Sequence, residues 1–282
     1  MLKTIIDRLL QGIVVIICLL TLTFFLIRMV PGDPLTDEKA MTQQVREANM
    51  KTFGLDKSQS VQYFYYWKTL FQGEMGMSIK KKQPVSKIIS QSFPVSVVIG
   101  MTGMLIAILI GIPAGIIAAL KHNSLIDNGA MFLAMLGISI PTFVIGPLFA
   151  KFIATKVPFL KVAGWGDPAD WILPAVTLGL GTAAYLARIT RAGMLDVLSQ
   201  DFIRTANAKG VSQTNIIVKH ALKGGLVPAI AYVGPAFAML ITGSFVVATI
   251  FQVPGMGQHF VTATKDRDYF LLHGMVHSFG IL

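Results

Sequence analysis

Five long runs of apolar residues constrain the fold of this chain more than any other feature of its sequence. A helix needs about 20 largely apolar residues to cross a bilayer, and its backbone groups must find hydrogen-bond partners within the segment. A β-barrel would instead show short segments of alternating hydrophobicity. We therefore expect an all-α, polytopic integral membrane protein, with spans at residues 9–30, 94–120, 129–154, 171–187 and 226–250.

The composition supports this class of protein. Hydrophobic residues occupy 54% of the 282 positions and charged residues only 13%, which lies outside the range of soluble domains. A sixth apolar run begins near Tyr269 and holds about 13 residues before Leu282, well short of a crossing. We therefore expect a sixth span that is incomplete.

The first apolar run resembles a signal peptide, because Lys3 and Arg8 precede it. It is too long for the apolar region of a signal peptide, and no A-x-A-like cleavage site follows, so we expect a retained anchor. The single cysteine, Cys18, lies inside this run. This excludes a disulfide framework and a cysteine metal site, and predicts a small packing residue.

Basic residues predict the orientation, because short cytoplasmic connections are enriched in Lys and Arg. The connection after the fourth run has only two acidic residues, Asp196 and Asp201, against Arg188, Arg191, Arg204, Lys209, Lys219 and Lys223. This places the connection and the N-terminus in the cytoplasm. Much of the net charge of +10 then reflects topology and attraction to anionic lipid. No nucleic-acid partner is expected, because basic and aromatic residues are not interleaved.

These patterns divide the chain into residues 1–31, the N-terminus and first span; 32–93, an external subdomain; and 94–282, a transmembrane core with a cytoplasmic loop at 188–225. In the external segment, one helical face is predicted to contain Val61, Phe64, Tyr65 and residues 68–71. The alternative is an interfacial helix held among lipid headgroups by its aromatic side chains, namely Tyr63, Tyr65, Tyr66 and Trp67.

The cytoplasmic stretch DFIRTANAKGVSQTNIIVKHALKGG predicts two short helices joined by a bend. Gly210 is a stop signal, and Ser212 is a possible N-cap of the second helix. Such helices present polar faces to the cytosol and suit docking to a partner. The alternative is a positively charged loop that binds only lipid headgroups.

Small residues in two of the apolar runs predict either close packing or a path. Gly111 and Gly115 form a GxxxG pattern around Pro113, which permits close approach of two helices but also occurs by chance. In the fifth run, five small or weakly polar residues are candidates to line a translocation path, or to form a packed kink: Gly234, Pro235, Thr242, Gly243 and Ser244.

Sequence motifs along almost the whole chain resemble one family. RTANAKG resembles the cytoplasmic coupling loop of permeases of binding-protein-dependent ABC importers, in the oligopeptide, dipeptide and nickel branch. TLTFFLIRMVPGDPL, GLDKSQSVQYF, QGEMGMSI, SFPVS and ITGSFVVATIFQVPGMGQHFV resemble the same branch in the same order, most closely the first of the two membrane subunits of oligopeptide permeases. Two positions depart from the family pattern. Arg204 replaces the acidic residue of the general coupling motif, and Ala248 stands where the family has a glutamate.

The resemblance implies a multi-pass subunit of a bacterial inner membrane with four kinds of partner. These are a second permease chain, two cytoplasmic ATPases, an external peptide-binding protein and the lipid bilayer. ATPase coupling would involve Arg204, Thr205, Ala206, Ala208, Lys209, Gly210 and His220. No G-x-x-x-x-G-K-[ST] sequence occurs, so ATP would be used by the partner subunits, and we expect no catalytic residue, metal or cofactor in this chain.

Alternative functions remain open at this point. Within the same branch the cargo could be a dipeptide, a murein peptide or nickel. A secondary transporter or channel would carry ionisable residues deep in its spans, and these spans carry almost none. A membrane serine hydrolase would need Ser244 with a histidine, and no base or oxyanion arrangement is evident in the sequence around His259, His273 or His277.

Overall fold

The computed structural model describes residues 2–35, 42–243 and 245–282. Within these ranges the chain is helical and has no β-strand; Met77 and Pro84 form one isolated bridge. Its contacts divide it into two compact units. The first unit comprises the residues up to Pro94 together with Pro254–Leu282, and the second unit comprises Val95–Val253.

The first unit contains six helices or parts of helices among the described residues. They are α1 Leu2–Met29, α2 Gln43–Thr52, α3 Gln59–Phe71, the first residues of α4 Val85–Leu120, α13 Met256–Lys265 and α14 Tyr269–Ile281. Helices α1, α13 and α14 pack together. Their shared apolar cluster includes Ile27, Val85, Met256, Leu271 and Met275.

The second unit contains the remainder of α4 and a series of shorter helices around α7. These are α5 Leu125–Ser139, α6 Thr142–Phe149 with a π-helical turn Ala150–Ala154, α7 Ile172–Leu198 after a 3-10 turn Pro168–Trp171, α8 Asp201–Ala208, α9 Gln213–Asn215, a π-helical stretch Ile216–Ala221, α10 Leu222–Gly225, α11 Val227–Thr242 and α12 Phe245–Ile250. Helices α5, α6, α10 and α11 all contact α7. Helix α7 is therefore the centre of this unit.

The described residues contain four helical segments that are long and apolar enough to cross a membrane, or five if a bent pair counts as one span. The four are Leu2–Met29, Val85–Leu120, Pro168–Leu198 and Val227–Ile250. They confirm four of the five predicted spans. Helix α14 has 13 residues, shorter than a crossing needs.

The third predicted span, 129–154, is not one continuous helix. Helix α5 and the segment Thr142–Ala154 meet at an angle of 100°. Ile140 has extended backbone angles, φ −86° and ψ 118°, and Pro141 is the N-cap of α6. A proline has no backbone N–H and disfavours helical angles in the residue before it, which explains the break.

The fourth span also differs from its prediction, because α7 continues past residue 187 to Leu198. Arg188 and Arg191 therefore lie on this helix and not in the basic connection, which starts after Leu198. The predicted GxxxG approach is confirmed: Gly111 and Gly115 of α4 lie against the backbone of α7. A Cβ atom on Gly111 would lie 2.4 Å from the carbonyl oxygen of Ala183, and one on Gly115 would lie 2.5 Å from that of Ala187.

Helix α3 forms as expected, but most of the predicted apolar face does not pack within this chain. Phe64, Tyr65 and Phe71 are exposed. The face that packs contains Tyr63, whose ring makes an edge contact with Phe24 of α1 at a centroid distance of 5.2 Å. The aromatic residues of α3 lie on both of its faces, so the spacing of apolar residues alone did not show which face packs.

Candidate coupling surface and path

A Schellman motif ends helix α8 and produces the predicted bend. The Val211 N–H donates to the Ala206 carbonyl oxygen with an N···O distance of 3.2 Å, and the Gly210 N–H donates to that of Asn207 at 3.0 Å. Gly210 has a φ of +73°, which a residue without a side chain adopts at low cost. Ser212 occupies the N-cap position of α9, although its side chain makes no capping hydrogen bond.

The inner face of α8 is part of a small apolar cluster. Ile203 is 3% exposed and Ala206 is 8% exposed. They pack in one cluster with Met194 of α7, Ile216 and Ala221. The structure therefore corrects the expectation that Ala206 lies on the docking face, because its methyl group points into the chain's own core.

The outer face of α8 is open to solvent. Thr205, Ala208, Lys209 and Gly210 are all exposed. Arg204 is also exposed and forms an ion pair with Asp201 at 3.1 Å, with both side chains mostly in solvent. Exposed pairs of this kind contribute at most about 1 kcal/mol to stability, so both groups are available to a partner.

A groove of about 490 Å³ lies beside the start of α8, where Phe202 forms part of its wall. His220 lines it together with Val197, Gln200, Phe202, Lys219, Lys223 and Gly224. The groove is basic, since it has two lysines and no acidic residue in its lining. Sequence reasoning did not single out Phe202, which is 50% exposed. The signal was available, because Phe202 is a large apolar residue next to the polar start of a helix.

A buried ion pair holds the neighbouring helices together. Asp127 is fully buried near the start of α5, and both of its oxygens bond to Arg191 of α7, at 2.5 Å from Nε and 2.7 Å from Nη2. The Asn123 N–H donates to Asp127 at 2.9 Å, and Ser124 caps the helix by accepting from the Asp127 N–H. The sequence analysis assigned Arg191 only to a basic loop and did not find this pair.

The candidate path residues lie in two places on α11: Gly234 and Pro235 in its middle, and Thr242 and Gly243 at its end. Gly234 and Pro235 are exposed, and a Cβ atom on Gly234 would meet nothing within 4 Å. The Thr242 hydroxyl donates to the Met239 carbonyl of its own helix at 3.0 Å. Gly243 ends the helix with a φ of +75°, and Ser244 lies outside the described residues. The helix is therefore continuous through Gly234 and Pro235 and ends at Gly243, and the role of these positions in a path stays a prediction.

The part of the chain that the structure describes contains no group of three or more His, Cys, Asp or Glu side chains arranged to hold a metal ion. The three histidines weighed for a hydrolase are in the first unit. His259 contacts Lys81 and His273 contacts Arg28. The hydrolase alternative stays without support.

Comparison with known proteins identifies two matching family regions. Residues 111–282 match the family described as binding-protein-dependent transport system inner membrane component. Residues 1–100 match the N-terminal region of such membrane components.

Individual relatives cover almost the whole chain. The oligopeptide transport system permease protein OppB of Salmonella typhimurium is 42% identical over 285 residues, which is 100% of this chain and 93% of the relative. The dipeptide transport system permease protein DppB of Bacillus subtilis is 40% identical over 268 residues, covering 95% of this chain and 87% of the relative.

Among solved structures, the MetNI methionine ABC transporter in an inward-facing conformation has a TM-score of 0.53 and 16% identity, covering 66% of this chain and 88% of that one. At this identity the likeness concerns the fold alone.

Proposed function

The chain belongs to the family of binding-protein-dependent transport system inner membrane components, and we propose that it forms half of the path by which an importer takes up oligopeptides. It is a multi-pass inner-membrane permease subunit of a peptide ABC importer. The relatives named for oligopeptide transport align over all of its residues, which supports oligopeptides as cargo.

The proposed complex contains a second permease chain, two cytoplasmic ATPases and an external binding protein. The sequence has no phosphate-binding G-x-x-x-x-G-K-[ST] motif, so the energy of ATP must reach this subunit from another chain. The N-terminus is cytoplasmic in this proposal, on the same side as the basic connection after Leu198.

The observation that carries the coupling proposal is the two-sided character of helix α8. Its outer face is exposed, whereas Ile203 and Ala206 pack into the cluster that contains Met194 of α7. Helix α10 also lies close to α7. A Cβ atom on Gly193 of α7 would lie 2.4 Å from the carbonyl oxygen of Gly225 in α10.

A displacement of a partner docked on α8 would therefore be transmitted to α7 through rigid contacts. Such a rigid-body movement suits a two-state change between inward and outward openings. The exposed residues Arg204, Thr205, Ala208, Lys209, Gly210 and His220 are the proposed partner contacts. Ala206 supports them from inside.

The test places the same substitution on the two faces of α8. Ala208→Asp adds a charge to the exposed face, and we expect normal yield and thermal stability of the chain but loss of the ATPases on co-purification. An uncompensated charge at an interface costs several kcal/mol, which lowers affinity by on the order of 10² to 10³. Ala206→Asp should instead reduce the yield of folded chain, because it buries the charge in the cluster.

Binding-protein-stimulated ATP hydrolysis in proteoliposomes gives a second measurement. We expect Ala208→Asp and Gly210→Asp to abolish the stimulation, and Ala208→Ser to retain it. If Ala208→Asp keeps the ATPases and full stimulation, this surface only contacts lipid headgroups, and the coupling proposal is wrong.

Dipeptides are the second candidate cargo, because the DppB relative is nearly as similar as OppB. Uptake of labelled dipeptides and pentapeptides by the reconstituted importer distinguishes the two. Uptake of pentapeptides supports the proposal, and uptake restricted to dipeptides would replace it.

A further inference from the structure

The first unit contains a cavity that the proposed transport function does not use. Its volume is about 340 Å³, near the lower end of the range for small-molecule sites. Its walls include Phe24 and Arg28 of α1, Gln62 and Tyr66 of α3, and Tyr269 and His273 of α14. None of the residues expected to line the translocation path belongs to it.

The positive charge of Arg28 has no negative partner in this cavity wall. Its guanidinium donates to the Gln62 side-chain oxygen at 3.2 and 3.1 Å and to the Phe24 carbonyl at 3.0 Å, and it contacts Nε2 of His273 at 3.4 Å. All of these acceptors are neutral. Within the described ranges, no carboxylate forms an ion pair with Arg28. This is unusual, because a partly buried charge is normally stabilised by a partner of opposite charge.

Two further donors in the same wall lack acceptors. An arginine only donates, so Nε2 of His273 must accept from it, and the neutral imidazole then carries its proton on Nδ1. That Nδ1 atom is buried without a hydrogen-bond partner, and His273 is only 4% exposed. The hydroxyl of Tyr66 is likewise buried without a partner. Unpaired buried donors of this kind are rare in folded proteins. Both atoms are closed off from the cavity space, so among these three groups only Arg28 is left to meet a ligand.

The rest of the cavity lining is also suited to an anion with apolar groups. Lys51 and Lys57 add two positive charges to its lining and Glu74 adds one negative charge, so cations outnumber anions. Aromatic rings supply most of the apolar wall, and the guanidinium lies 3.5 Å from the centroid of the Phe24 ring. A ligand that fits must combine a small anion with an apolar group.

We propose that this cavity is a binding site for a carboxylate that bears apolar side chains, of the size of two amino-acid residues. The carboxylate would accept from the Arg28 guanidinium. Guanidinium and carboxylate groups match in geometry and form strong charge-assisted hydrogen bonds. The inference that the ligand is a carboxylate with apolar groups rests on the cavity alone. Its identification as the carboxyl end of a peptide rests in addition on the proposed transport function.

Binding of N-acetyl-Leu-Phe to the full chain in nanodiscs tests the proposal, with N-acetyl-Leu-Phe-amide as the matched uncharged ligand. Isothermal titration should give an affinity for the acid about 10-fold to 100-fold higher than for the amide, which is the usual effect of a hydrogen bond to a charged group. Equal affinities for the two ligands, or no binding of the acid, would overturn the proposal.

The variants use the ratio of the two affinities, which does not depend on overall stability. R28Q should abolish the preference for the acid, and R28K should retain part of it. R8Q is the control, because Arg8 is on the same helix and exposed, with a hydrogen bond to Gln11. Its ratio should equal that of the parent. A preference that survives in R28Q would exclude Arg28 as the ligand group.

The parent chain decides the outcome if the Arg28 variants do not fold, because its affinities for the acid and the amide are compared directly. Equal affinities in the parent would then contradict the proposal. No ATPase takes part in these titrations, so a failure of the coupling experiments on α8 leaves their result intact.

Discussion

Replacing Gly111 with alanine tests the close contact between α4 and α7. The added Cβ atom would lie 2.4 Å from the Ala183 carbonyl oxygen and 2.9 Å from the Leu186 Cβ atom, whereas ordinary contacts begin at 3.4 Å. The obstacle is backbone, which cannot rotate away, so the two helices must separate by about 1 Å. Overpacking of this kind costs about 1–3 kcal/mol. The higher helix propensity of alanine offsets up to about 1 kcal/mol of that cost.

Gly129→Ala is the matched control. It makes the same chemical change in an apolar helix, but its Cβ atom would meet nothing within 4 Å. Only the gain in helix propensity remains, so we expect a stabilisation of about 0.5–1 kcal/mol. The two substitutions should therefore shift stability in opposite directions.

Thermal unfolding of the detergent-solubilised chain, followed by far-ultraviolet circular dichroism at one fixed scan rate, measures both effects. Each kcal/mol corresponds to roughly 2–4 °C in the midpoint for a chain of this size class. We expect a lower midpoint for Gly111→Ala and a higher one for Gly129→Ala. If Gly111→Ala raises the midpoint as Gly129→Ala does, then α4 and α7 do not pack at this glycine.

Two further predictions concern ionisable groups. Asp127→Asn should destabilise the chain by about 3 kcal/mol, because it leaves the Arg191 charge without its buried partner; Asp201→Asn, in an exposed pair, should change the unfolding midpoint by no more than about 2 °C. Equal effects of the two would show that the buried pair is not structural. Burial and the nearby Lys81 ammonium lower the pKa of His259 from 6.5 to about 4. The unfolded chain then binds more protons between these values, so the stabilisation is present above pH 6.5 and is lost as the pH falls towards 4. The midpoint should drop between pH 7.5 and 5, less so in His259→Gln; parallel profiles for both proteins would contradict this.

Apolar run length and turn chemistry were sufficient for part of this structure. The hydrocarbon thickness sets a minimum length for a spanning helix, so the spans near residues 9–30 and 94–120 could be predicted from the sequence. The bend at Gly210 could also be predicted, because a glycine between two helix-forming stretches is a local signal that needs no distant partner. The resemblance that led to peptide import was likewise carried by sequence motifs.

The tertiary structure decided which face of each helix meets protein. In a membrane helix, the side that faces lipid is as apolar as the side that packs, so hydropathy does not distinguish them. On α8, which is not one of the spans, the sequence placed Ala206 among the docking residues, and only its position in one buried cluster with Ile216 and Met194 assigns it to the interior.

Contacts between residues far apart in the chain were beyond the sequence for the same reason. Arg191 was indistinguishable from other basic residues until α7 brought it to Asp127, 64 positions away. Arg28 and His273 are 245 positions apart and meet only when α1 packs on α14. Local sequence chemistry determined that the chain lies in a membrane, where its helices form and where it bends at Gly210. The packing of helices that are distant in sequence determined which polar groups are paired and which remain open to a ligand.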